Sequence, residues 1–208
     1  MVIRLPEMER VWHLHPDQVG PGAFTQQLPD MPAGRYQLFG DIVHASGIAE
    51  TLTAEIDLPA VAGTALAGDD SDGAGSELSK ASRATVAPLS GGRRIVWESG
   101  GSGLRTKQVS TFRFRIEPAT NLEPYMGMLG HAAFVKTDRT VFAHVHPSGS
   151  VPMAALSLVD PDAGHSMGAG ASEVSFPYGF PQAGDYRIYV QIKIEGRVET
   201  GVFDAHVN

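Results

Sequence analysis

The sequence predicts an all-β fold: two immunoglobulin-like antiparallel β-sandwich domains. Three observations point there. The 208 residues include 24 glycines and 14 prolines, which punctuate the chain into short segments. Apolar residues recur with period two, and no stretch carries a convincing helical period. A set of motifs also recurs in the same order in the two halves of the chain, as an internal repeat does.

The first half carries Val11-Trp12-His13-Leu14-His15-Pro16, then Ala33-Gly34-Arg35-Tyr36, then Glu50-Thr51. The second carries Val141-Phe142-Ala143-His144-Val145-His146-Pro147, then Ala183-Gly184-Asp185-Tyr186, then Glu199-Thr200. This order of His-x-His-Pro, Ala-Gly-x-Tyr and Glu-Thr predicts two copies of one β-domain, at residues 1–60 and 106–208. The counterpart of His131 in the first copy would fall at or before Met1, so that copy is expected to be incomplete at its N-terminus. Either the chain is a fragment of a longer protein, or another element supplies the missing strands, since an open sheet edge is a pairing hazard.

Residues 61–105 are expected to link the copies. Gly68 to Glu77 is acidic and glycine-rich, but it fails as a calcium loop. With Gly73 as the loop glycine, Gly68 and Ser79 occupy positions that need Asp and Glu. A solvated linker is the reading that remains. Val86 to Leu89 and Arg94 to Trp97, around Ser90-Gly91-Gly92, suggest a small hairpin. Ser110 to Ile116 alternates Phe112, Phe114 and Ile116 against Arg113 and Arg115, and opens the second domain. Tyr186, Ile188, Val190, Ile192 and Ile194 alternate with Arg187, Gln191 and Lys193, as in a half-buried strand. Glu195-Gly196 then turns the chain into a closing strand from Arg197 to Val207.

The informative stretch runs from Gly130 to Pro147. Two runs rich in β-branched and aromatic residues flank a polar tip, Lys136 to Thr140. An even-numbered tip sets Lys136 opposite Val141 and therefore His131 opposite His146, with His144 on the same face. Facing residues have Cβ atoms about 5 Å apart, so His131, His144 and His146 form a candidate metal site. An odd-numbered tip would scatter them. His-x-His on a strand suits neutral imidazole ligands of zinc, copper, nickel or iron. The bland alternative is a pair of histidines that hydrogen-bond at a strand end. The repeated motif fits either a repeated site or a repeated structural corner.

Weaker candidates are His13 and His15, for which His44 is the nearest third partner in sequence. Met126 and Met128 are soft donors suited to Cu(I), or simply core fillers. His165 and Met167 lie in a glycine-rich insertion, either as extra ligands or as solvated loop residues.

A formal charge of −7 argues against nucleic acid as a partner. The absence of cysteine excludes disulfides, thiolate ligands and thiol nucleophiles. No apolar run approaches the roughly 20 residues of a membrane span, and no signal peptide is visible. Gly-x-Ser-x-Gly, His-Glu-x-x-His, phosphate-loop and dinucleotide motifs are all missing, so no enzyme is predicted.

The segment Leu122 to His131, followed by Val141 to Pro147, resembles poorly characterised bacterial extracytoplasmic β-sandwich domains. It is loosely similar to the YtkA-like and FixH-like modules. The resemblance spans both copies and is best over 110–208. It implies a periplasmic or extracellular setting, a membrane-attached remainder or protein partner, and in some relatives a link to copper handling or oxidase assembly. The expectation is a non-enzymatic module that binds copper or zinc through the hairpin histidines. The alternative is a structural or protein-interaction module without metal.

Overall fold

A computed structural model describes residues 1–78, 84–101, 103–147 and 171–208. The insertion bearing His165 and Met167 lies outside the described residues. Among those described, the chain is all-β. Its strands are β1 (Val2–Leu5), β2 (Arg10–His13), β3 (Asp17–Gly20), β4 (Ala23–Thr25), β5 (Gly34–Val43), β6 (Ala49–Leu58), β7 (Ser71–Ala74) and β8 (Val86–Pro88). They continue with β9 (Arg94–Trp97), β10 (Val109–Glu117), β11 (His131–Lys136), β12 (Phe142–Val145), β13 (Glu173–Gly179), β14 (Gly184–Ile194) and β15 (Arg197–Val207). All pairings are antiparallel.

Three sheets stack in layers. The outer sheet has the order β13-β10-β9-β8, the central sheet β12-β11-β14-β15, and the N-terminal sheet β6-β5-β1-β2-β7. A separate two-stranded ribbon joins β3 and β4. Alternation on β11 explains the stacking. Ala132 and Phe134 point into the core shared with the outer sheet, beside Phe112, Phe114, Phe176 and Ile188. Ala133 and Val135 point the other way, into a second core with Ile3, Leu5, Val11, Phe39 and Tyr189. Phe39 stacks on Phe142 across this second interface, with ring centres 4.2 Å apart. Burying each such side chain contributes about 1.5–3 kcal/mol.

The central sheet is therefore covered on both faces, and this corrects the expectation of a half-buried β14. Its polar residues Arg187 and Gln191 face the N-terminal sheet and are buried with partners. The Arg187 guanidinium is fully buried and donates to both oxygens of Asp204 (2.8 and 2.9 Å) and to the carbonyls of Glu7 and Met8 (3.0 and 3.1 Å). The Tyr189 hydroxyl donates to the Met8 carbonyl at 2.6 Å. A buried ion pair tolerates such a position when its hydrogen bonds are met.

The segment read as a solvated linker also differs. Ser71–Ala74 is a strand that pairs with β2, and Ser71 is buried. Glycine is what permits this: a Cβ on Gly73 would lie 2.5 Å from the Thr200 side chain on β15. The hairpin at residues 86–97 does form, as β8 and β9, and β9 joins β10 in the outer sheet.

The N-terminal and central sheets share a strand order. β1 pairs with both β2 and β5, and β5 with β6, just as β11 pairs with both β12 and β14, and β14 with β15. Tyr36 and Tyr186 each donate a hydroxyl hydrogen bond to the carbonyl four residues upstream, at Pro32 and Gln182. The outer face of the N-terminal sheet packs Trp12 and Tyr36 against Leu14 and Met31, with Leu28 and Val61 alongside.

Candidate metal centre

The hairpin register is the even one. Val135 pairs with Phe142 and Ala133 with His144, and the Lys136 amide donates to the Val141 carbonyl. Arg139 takes a positive φ of 66° to close the tip. Continued one step past Ala132 and Val145, that register faces His131 with His146, and their ring centres lie 5.0 Å apart. The three histidines offer one nitrogen each, all within 4.8 Å of one another, and can hold a metal ion. His131 and His146 are buried, at 1% and 7% exposure, and the His144 side chain is 17% exposed.

Hydrogen bonds decide which nitrogen His131 and His144 present. His131 Nε2 lies 3.1 Å from the Tyr125 carbonyl, which can only accept, so Nε2 carries the proton and Nδ1 keeps its lone pair. The carbonyl is aimed by a tight turn in which Tyr125 and Met128 exchange backbone bonds, with Gly127 at φ 79°. Gly130 lets this turn approach β14, since a Cβ there would sit 2.6 Å from the Gln191 carbonyl. His144 Nδ1 lies 3.3 Å from Asp41 Oδ2, so Nδ1–H donates and Nε2 keeps its lone pair. The two lone pairs, His131 Nδ1 and His144 Nε2, then face each other at 3.1 Å. Two acceptors at that distance repel unless a cation, either a proton shared between the rings or a metal ion, sits between them. Nitrogens bound to one tetrahedral ion at ~2.05 Å are ~3.3 Å apart.

The N-terminal sheet brings His13 and His15 to the same place. Val11 and His13 point toward the central sheet while Trp12 points away. The His13 ring centre lies 5.0 Å from that of His144 and 6.1 Å from that of His131. His13 Nδ1 is 2.7 Å from Gln191 Oε1, whose own Nε2 donates to Ser71, so Nδ1–H donates and the ring's lone pair is on Nε2. The Tyr125 hydroxyl lies 3.0 Å from the same Nδ1. His15 Nδ1 is held 3.0 Å from Asp70, which also accepts from the His15 amide and from Gln26.

His44 does not join this group. It pairs with Glu50 at the exposed β5–β6 turn, because the ten-residue strands carry that turn away from β2. His206 is likewise paired at the surface, with Asp185. Met126 is 38% exposed at a positive φ, whereas Met128 is buried. Met126 lines a groove of about 630 Å³ with His15, Asp17, Asp69 and Asp70. Its acidic wall is suited to drawing in a cation.

Electrostatics keep His13 and His131 neutral. Burial, and then the neighbouring His144 and other imidazoles, hold His13 well below its ordinary value. Burial followed by His144 and His146 does the same for His131, against the opposing bond to the Tyr125 carbonyl. Burial works to raise the Asp41 carboxyl, but the bonds from His144 and Thr51 outweigh it and keep Asp41 ionised. Neutral imidazoles with carboxylates behind them are the form that binds metal.

Asp41, Asp70, Tyr125 and Gln191 were not found by reading the sequence. Asp41, Asp70 and Gln191 reach their histidines across tertiary contacts, with no spacing rule to announce them, and the Tyr125 carbonyl is aimed by a local turn whose shape the sequence pattern did not reveal.

Fold and site together define a class: layered all-β proteins with a buried imidazole cluster between two sheets. Residues 89–208 match the family described as "Domain of unknown function (DUF8832)", and the chain belongs to that family. The matched span contains His131, His144 and His146; His13 and His15 precede it. No curated protein and no solved structure matches the chain.

Proposed function

We propose that this protein is a non-enzymatic transition-metal-binding module that takes copper or zinc through His131, His144 and His146. The observation that carries this reading is the convergence of one nitrogen each from His131, His144 and His146 within 4.8 Å, with His131 Nδ1 and His144 Nε2 3.1 Å apart. A carbonyl and a carboxylate fix the two tautomers from behind. An all-imidazole donor set favours zinc or copper over hard cations such as calcium. The extracytoplasmic setting, and a protein partner or membrane-attached remainder, belong to this reading through the resemblance to YtkA-like and FixH-like modules.

The test is metal analysis of tag-free protein after reconstitution with Zn(II) or Cu(II). Stoichiometric retention, lost in His144→Ala with the fold preserved, is expected. Absence of stoichiometric metal would leave the histidines as a structural hydrogen-bonding corner, and the module as a protein-interaction domain.

A further inference from the structure

We infer that His13 and His15 are ligands of the same centre, so that one Cu(II) ion is held between the N-terminal and central sheets by imidazoles of both. This rests on the metal-binding reading above and extends it.

The first argument is spacing. An imidazole bound at 2.0–2.1 Å places its ring centre about 3.2 Å from the ion, so neighbouring ligand rings are roughly 5 Å apart and opposed ones about 6.4 Å at most. Within the hairpin the ring centres of His131, His144 and His146 are 5.2, 5.0 and 4.9 Å apart. His13 stands 5.0 Å from His144, the same spacing, and 6.1 Å from His131, as an opposed ligand would. His15 is 4.6 Å from His13.

The second argument is an unmet donor site. His15 Nε2 is buried and has no hydrogen-bond partner, while Asp70 holds Nδ1 on the other side of the ring. Burying a polar nitrogen without a partner is costly, and a metal at Nε2 would relieve that cost. In His13 the Nδ1–H is likewise engaged, by Gln191, which leaves the ring's lone pair on Nε2. A set with an opposed pair and more than three imidazoles suits the tetragonal preference of Cu(II) better than the four-coordinate preference of Zn(II).

The experiment is Cu(II) titration of tag-free wild type, the double variant His13→Gln/His15→Gln, and His144→Ala. Affinity is read by chelator competition, and bound imidazoles are counted by electron paramagnetic resonance and X-ray absorption. Wild type is expected to show five imidazoles. The double variant should fall to three and bind at least about tenfold more weakly, the scale of losing metal-site support. Glutamine retains polarity and bulk, and unchanged circular dichroism establishes that the variant is folded. Three imidazoles in wild type, or unchanged affinity in the double variant, overturns this inference and leaves the three-histidine reading intact. No Cu(II) or Zn(II) bound by wild type removes both.

Discussion

Asp41→Asn probes the site without removing a ligand. The carboxylate lies 3.3 Å from His144 Nδ1 and accepts from Thr51 Oγ1 at 2.6 Å. An amide keeps the Thr51 bond through its oxygen but loses the charge that pins the proton on Nδ1. With its NH₂ turned to the ring, it favours the tautomer whose Nε2 bears hydrogen and cannot bind metal. Losing a supporting partner of this kind typically weakens metal affinity about 10–100-fold. The Asp41 side chain is 38% exposed and the bond is long. The lower part of that range therefore applies: about 10–30-fold, or ~1.4–2 kcal/mol. Chelator competition with Zn(II) or Cu(II) measures it. Stability should change by no more than ~1 kcal/mol, as for an exposed pair. Wild-type affinity in a folded Asp41→Asn protein would refute the tautomer argument, because the carboxylate would then have no hold on the ligand.

Four further outcomes are expected. Asp204→Ala leaves the buried Arg187 guanidinium without its counter-ion and should cost about 3–5 kcal/mol in urea unfolding; a loss below 1 kcal/mol would mean that the pair is solvated. Gly73→Val drives a side chain into Thr200 between β7 and β15 and should lower stability by ~1–3 kcal/mol by calorimetry; Thr200→Gly in the same chain should restore part of it. Saturating metal at about 100 times its dissociation constant should stabilise the fold by ~2.7 kcal/mol; a chelator should reverse the gain, and a thermal midpoint indifferent to both would count against the site.

The fourth concerns pH in the metal-free chain. His13 and His131 titrate well below 6.5 when folded, through burial and then their imidazole neighbours. Below 6.5 the unfolded chain binds more protons, so stability is intact above that value and declines as the pH falls beneath it. The urea midpoint of chelator-treated protein should be lower at about pH 5.5 than at about pH 7.5; equal midpoints contradict the assignment.

The hairpin was legible because its information is local. Parity of the Thr137–Thr140 tip fixes which residues share a face, and the register placed His131 against His146. Strand alternation in Phe112–Ile116 and Tyr186–Ile194 was equally local. The layer order was not legible, because nothing within β14 distinguishes a polar face that meets water from one that meets another sheet. Arg187 and Gln191 read as solvent-facing until β1 and β2 cover them. Ser71-Asp72-Gly73-Ala74 has weak strand propensity, and its place depends on close approach to Thr200 rather than on its own preferences. The partners of the histidines were hidden for the same reason: His13 meets Gln191 across 178 positions and His15 meets Asp70 across 55.

The covering of the central sheet by the N-terminal one also sets an order of assembly. The chain is synthesised from its N-terminus, so β1 and β2 leave the ribosome long before β14, the surface on which they dock. The hairpin of β11 and β12 closes over 13 positions and can form as soon as it emerges, whereas the His13 contact to Gln191 awaits nearly the whole polypeptide. During that interval Ile3, Leu5 and Val11 have no central sheet to cover them, and a nascent chain halted before residue 184 would expose them to chaperones.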